Sequence, residues 1–194
     1  CVIHNNKRDK FGLIDKKGNW MLKAEYDAIL PKDSFFVVSK GGMQSVLTEN
    51  LKPILPFMEA DLWISGNSIT ATMKDHTLRK YNLQGELIDD FLISNVDRLL
   101  YDTDEIRYTT AKNYDDEGNL TGETAEAEPT PYQKTANCKK YEADIGWYGL
   151  MSPSGKVITP PRYCDITAIG YDLYLCKTDD IRGEILNGKG VRIK

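Results

Sequence analysis

Chemistry in this chain would have to come from a small set of side chains. There are two histidines, His4 and His76, and four cysteines, Cys1, Cys138, Cys164 and Cys176. The histidines are far apart and no two cysteines form a C-x-x-C pair, so the spacing that builds a zinc site is absent. Cys138 could pair with Cys164 or Cys176 in an oxidising compartment, but four thiols leave the connectivity open and buried free thiols are the favoured reading. The stretch NYDDEGNLTGE, 113 to 123, sets Asn113, Asp115 and Glu117 ahead of Gly118 in the manner of a calcium loop. Its twelfth position is Thr124 instead of a bidentate glutamate, and Glu117 is too long for the fifth, so it reads as a turn. No nucleophile stands with a base and an orienting group, no carboxylate pair suggests a raised pKa, and the glycines are spaced for turns, not for a phosphate. The expectation is a protein that is not an enzyme and holds no metal and no cofactor.

The elements that would carry any site are announced by repetition. KFGLIDKKGNWMLKAEY, 10 to 26, and GWYGLMSPSGKVITPPRY, 146 to 163, share an aromatic residue, two glycines, a leucine and a closing tyrosine. Phe11 matches Tyr148, Gly12 matches Gly149, Leu13 matches Leu150, Gly18 matches Gly155 and Tyr26 matches Tyr163. A small polar residue three before a glycine recurs at 15–18, 82–85, 115–118, 152–155 and 187–190, which adds Gly85, Gly118 and Gly190 to the series, while 48–51 fills the remaining slot with Leu51. The starts are 33, 34, 33, 37 and 35 residues apart, a period near 34. Each tetrad predicts a type I turn closed by a residue of positive φ, flanked by short strands. A third apolar run follows each glycine, as at 35–39, 69–73 and 173–176, which predicts a three-stranded antiparallel meander per repeat. Helical repeats share this period, but glycine-closed turns and β-branched or aromatic runs every ten residues or so argue against them.

These residues resemble the WG-repeat family, whose unit runs aromatic-Gly-apolar-Ile-Asp-x-x-Gly, a strand, then Pro-Pro-x-Tyr-Asp. The match is close over 11–27 and over 148–165, which carries Pro160, Pro161 and Tyr163, and it thins elsewhere to the hairpin period. Phe11 and Tyr148 stand where the tryptophan of the name would be. The resemblance implies a binding or scaffold repeat, often in bacterial proteins, with no catalytic residues to carry over.

A single repeat cannot bury its apolar face, so neighbours must stack or close a ring. The expectation is one all-β domain over 1–194, with a propeller-like closed ring favoured over an open superhelix. In that ring Val2 to Asn6 would complete the sheet begun by Glu184 to Lys194.

Net charge is −4 and the pI about 5.3, which gives no excess positive field for a phosphate backbone, so nucleic acid is excluded as a partner. No apolar run approaches the ~20 residues that span a bilayer. From Asp102 to Glu128 nine acidic residues face two basic ones, a solvated protrusion or an acidic patch for a basic partner. Basic residues gather towards the ends, at Lys7, Arg8, Lys10, Lys16 and Lys17, and at Arg182, Lys189, Arg192 and Lys194. Phe11, Tyr26, Tyr148 and Tyr163 recur at fixed places and belong to the core. Trp63 and Trp147 do not recur. Trp147 precedes Tyr148, and alternation along a strand would turn it to the opposite face, so Trp147 and Trp63 are the candidate partner-binding residues. The functional expectation is a non-catalytic scaffold module for a protein partner at a bacterial cell envelope, favoured over the cytoplasm, with a glycan-binding surface protein as the alternative. Cys1 is a candidate lipid anchor.

Overall fold

The structure is a computed structural model that describes residues 1–5, 9–128 and 131–193. Every regular element among them is a β-strand. The first sheet holds β1 (Val2–Asn5), β2 (Lys10–Ile14) and β3 (Trp20–Tyr26). The second holds β4 (Ala28–Lys32), β5 (Phe35–Lys40), β6 (Met43–Thr48) and β7 (Pro53–Met58), and the third β8 (Ala60–Ser65), β9 (Ser68–Met73), β10 (Leu78–Asn82) and β11 (Leu87–Leu92). Then come β12 (Asn95–Asp102), a hairpin of β13 (Tyr108–Tyr114) and β14 (Leu120–Ala127), and β15 (Gln133–Glu142) and β16 (Tyr148–Met151), which form a sheet of order β12-β15-β16. The last sheet is β17 (Asp165–Gly170), β18 (Leu173–Lys177) and β19 (Gly183–Asn187). All pairings are antiparallel. The chain gathers into two compact units, Cys1–Ser94 with Ala143–Ile145, and Asn95–Glu142 with Gly146–Lys194.

One local device makes every repeat turn. The first residue donates its N–H to the carbonyl four residues on and accepts from the N–H three residues on, at 15, 48, 82, 115, 152 and 187 alike. Its side chain then takes further backbone N–H groups: Asp15 Oδ1 accepts from Lys17 and Asn19, Asn82 Oδ1 from Gln84 and Glu86, and Asn187 Oδ1 from Lys189 and Val191. That is why Asp, Asn, Ser or Thr is favoured in first place. The fourth residue is left-handed, with φ of 86° at Gly18, 85° at Gly85 and 90° at Gly155, and Leu51 takes the same place at 62°. A further turn of this kind, between β9 and β10, puts His76 at φ 63° and had no glycine to announce it.

The three-stranded meander is corrected in its grouping. The runs after the turns closed by Gly18, Leu51 and Gly155 pair forward: β5 bonds to β6, β9 to β10 and β18 to β19. A tight turn decides this at Gly41 and Gly42, both with positive φ, which bring Lys40 opposite Met43. By the same rule β1 pairs with β2, Val2 opposite Leu13, while the chain beyond β19 returns on β19 itself through Leu186 and Arg192. Among the described residues no closed ring is seen: the sheet expected from Val2 to Asn6 with Glu184 to Lys194 is not shown, and Asn6 and Lys194 lie outside the described residues. The turn at 115–118 is also regrouped. Its strands β13 and β14 pair only with each other among the described residues, as an arm inserted between β12 and β15.

Stacking of neighbouring sheets supplies the core of each unit. Val37, Val46 and Leu55 of the second sheet pack with Leu62, Ile64, Ile69 and Ala71 of the third. Val38 and Leu47 point the other way, to a cluster with Phe11, Leu22 and Tyr26 of the first sheet. Strand β5 is therefore apolar on both faces, as a sheet covered on two sides requires. In the second unit Leu99, Cys138 and Leu150 pack with Ile166, Tyr174, Cys176 and Leu186.

Candidate functional site

The recurring aromatics form cross-strand pairs. Phe11 lies opposite Tyr26, and Tyr148 opposite Tyr163. Tyr163 is fully buried, and the other three are half-buried against the core clusters. The glycine after each first aromatic makes room for a ring. A methyl group on Gly12 would lie 2.6 Å from the Trp20 ring, and one on Gly149 would run into the Tyr141 ring. Pro160 follows Thr159, whose carbonyl accepts the Tyr141 hydroxyl at 2.6 Å and whose own hydroxyl accepts the Leu150 N–H at 2.9 Å. The signature residues thus build sheets.

Trp63 is placed differently. Along β8, Ala60, Leu62 and Ile64 point inward and Asp61, Trp63 and Ser65 outward, so the alternation of a half-buried strand puts the indole in solvent at 68% exposure. β8 is the edge of the third sheet and β4 the edge of the second. Between them lies a cleft of about 150 Å³ lined by Leu30, Pro31, Lys32, Val37, Leu62, Trp63 and Ile64. Leu30 is 59% exposed beside it. Pro31 cannot donate to a ladder and so suits an edge strand. Gln44 blunts part of the β8 edge: its Oε1 accepts the Leu62 N–H at 2.8 Å while its Nε2 donates to Asp61 Oδ1 at 3.1 Å.

Trp147 belongs to the second unit. The residue precedes the start of β16, so strand alternation does not govern it, and it is half-buried in the second unit. Trp20, the first residue of β3, is 53% exposed over Gly12.

Burial mutes two of the four cysteines. All four cysteines are free. Burial pushes the Cys176 thiol up to about 12 and raises that of Cys138, which keeps both protonated and poorly nucleophilic. In the arm, Asp115 accepts from the N–H groups of Glu117 and Asn119 and from the Asn119 amide, so its oxygens serve the turn. Lys7 and Arg8 lie outside the described residues.

A hairpin with an aromatic-Gly start, a glycine-closed turn and a paired closing tyrosine occurs twice, and this identifies the repeat. The family model of the WG containing repeat matches residues 11–43 and 148–180. Each WG repeat straddles two sheets: the first runs from β2 through the beginning of β6, the second from β16 through β18. No curated protein matches the chain. Among solved structures, the crystal structure of the computationally designed Ika8 protein matches 90% of this chain and 64% of its own, at 17% identity and a TM-score of 0.28. The chain thus spans less than two thirds of that protein, and the superposition is too loose to bear on the fold.

Proposed function

We propose that the chain is a non-catalytic β-repeat module that binds a protein partner at the bacterial cell envelope, and that the cleft beside Trp63 receives an apolar side chain of that partner. The observation that carries this reading is the exposed indole at the mouth of an apolar cleft between two sheet edges. Aromatic anchors next to desolvated pockets dominate protein interfaces. A saccharide would need convergent polar groups around the stacking ring, and the lining offers Lys32 and the indole N–H.

Site-specific photo-crosslinking tests it. A photoreactive phenylalanine analogue at position 63, in cells of the source organism, is expected to give a discrete protein adduct in the envelope fraction, absent when the analogue replaces exposed Tyr171. Equal labelling at both positions, or selective binding of Trp63 to immobilised glycans with no protein adduct, would overturn it.

A further inference from the structure

A second surface, in the other compact unit, is made by three arginines. Arg162 precedes the paired Tyr163, Arg182 leads into β19 at Gly183, and Arg192 follows the turn that closes β19. With Thr178, Gly183 and Glu184 they line a cleft of about 270 Å³.

Glu184 organises the cleft. Its Oε1 accepts the Tyr163 hydroxyl at 2.6 Å and Arg162 Nη2 at 2.9 Å, and its Oε2 lies 4.0 Å from Arg192 Nε. Because Tyr163 is fully buried, this carboxylate is anchored from below and holds the Arg162 guanidinium in place, while Arg192 stands at the outer limit of an ion pair with it. Arg182 is set by its backbone. Its carbonyl accepts from the Thr178 N–H at 3.0 Å and its N–H donates to Asp179 Oδ1 at 2.6 Å, while its side chain is 83% exposed and pairs loosely with Asp179 at 3.7 Å.

Three guanidiniums therefore face two carboxylates, and an excess positive charge collects on a chain whose net charge is −4. Each guanidinium carries five donors. Arg162 already turns its Nε and Nη2 to the Tyr163 hydroxyl, at 3.0 and 2.7 Å, and to Glu184, which leaves Nη1 for a ligand, whereas the contacts of Arg182 and Arg192 use a minority of theirs. A planar carboxylate satisfies one fork, whereas a tetrahedral phosphate presents oxygens to forks arriving from several directions.

We propose that Arg162, Arg182 and Arg192 form a binding site for a phosphate or phosphomonoester group, pre-shaped by Glu184. The site is independent of the Trp63 cleft, and it stands or falls separately.

Full-length 15N-labelled protein is titrated with inorganic phosphate, and with chloride at matched ionic strength, while the arginine Nε–Hε resonances are followed. Saturable shifts at Arg182 and Arg192 that chloride does not reproduce are expected, and R182Q should weaken phosphate binding by about tenfold or more. An unchanged amide spectrum elsewhere shows that R182Q is folded. Shifts that never saturate, shifts that chloride reproduces, or an unchanged affinity in R182Q would each overturn the site. Sedimentation with phosphatidylcholine vesicles, with and without phosphatidic acid, separates the sources. Arg182-dependent binding to the acidic vesicles alone assigns a lipid headgroup, and saturable phosphate binding without it assigns a soluble phosphomonoester.

Discussion

Tyr163 ties two sheets of the second unit together: its hydroxyl donates to Glu184 Oε1 at 2.6 Å while its backbone exchanges two hydrogen bonds with Tyr148 at 2.7 and 3.1 Å. Burial, and then Glu184, push its phenol from the ordinary 10.0 to about 12. The unfolded chain releases this proton first, so the stability that comes from keeping the phenol protonated is present below pH ~10 and is lost between ~10 and ~12. Tyr163→Phe is expected to lose about 1 kcal/mol at neutral pH and to flatten the alkaline decline by one proton. Urea unfolding at several alkaline pH values checks it. Tyr141 and Tyr174, also raised by burial, keep the rest of the slope.

Turn glycines should differ in cost according to what surrounds them. Gly18 has φ 86° and open space, and Gly18→Ala is expected to cost about 1 kcal/mol from backbone strain alone. Gly85 has φ 85° and a methyl group there would also run into the Ile54 carbonyl, so Gly85→Ala should cost at least twice as much. Denaturant midpoints of the two variants decide the order.

The glycine behind an aromatic makes the opposite demand, for space and not for φ. Gly149→Ala should push the Tyr141 ring out of its buried seat and break its bond to Thr159, at about 1–3 kcal/mol. Gly122→Ala, in β14 with nothing near it, is the matched control and should be neutral or mildly stabilising.

Acid should act on the first turn through Asp15. The Asn19 side chain, then backbone N–H groups, hold its carboxyl below the ordinary value of 3.8. Its contribution is present above that ordinary value and disappears as pH falls through the lowered one. Asp15→Asn keeps the acceptor oxygen, as Asn82 and Asn187 do in their turns, and should remove the acid-range titration of the Lys17 and Asn19 amide shifts.

The arm should be dispensable for folding. Arg107 and Glu128 already meet through a 2.8 Å backbone bond at its base, and its strands carry exposed side chains on both faces. Replacing residues 108–127 by an Asn-Gly link is expected to move the thermal midpoint by only a few degrees, since isolated two-stranded hairpins contribute little. A midpoint lowered by about 10 °C or more would mean that the arm packs on the body.

Legibility followed range. The turn at 15–18 could be read because its bonds span five residues and depend on a polar acceptor and a left-handed closer. Trp63 stands out in the sequence only because it does not recur, and its outward face follows from alternation along β8; the sequence invites that rule at Trp147 instead, where it fails because the residue stands just outside β16. The cleft beside Trp63 was invisible, since it needs β4 and β8 to become edges of two adjacent sheets.

By itself, the sequence determined an all-β chain, its six glycine- or leucine-closed turns, and the two repeats that begin at Phe11 and Tyr148. Tertiary structure decided how the strands are shared out. A run such as Phe35–Lys40 has apolar residues enough to pair on either side, and the choice fell to the tight turn at Gly41 and Gly42 and to burial of Val37 and Val38 on opposite faces. The turn at 115–118 kept the period only because the arm is about one repeat long: the flanking turns start at 82 and 152, close to two periods apart. Identical local bonding thus serves a sheet in one place and a solvent-exposed arm in another. Only non-local burial distinguishes them, and a pattern of neighbouring residues does not encode it.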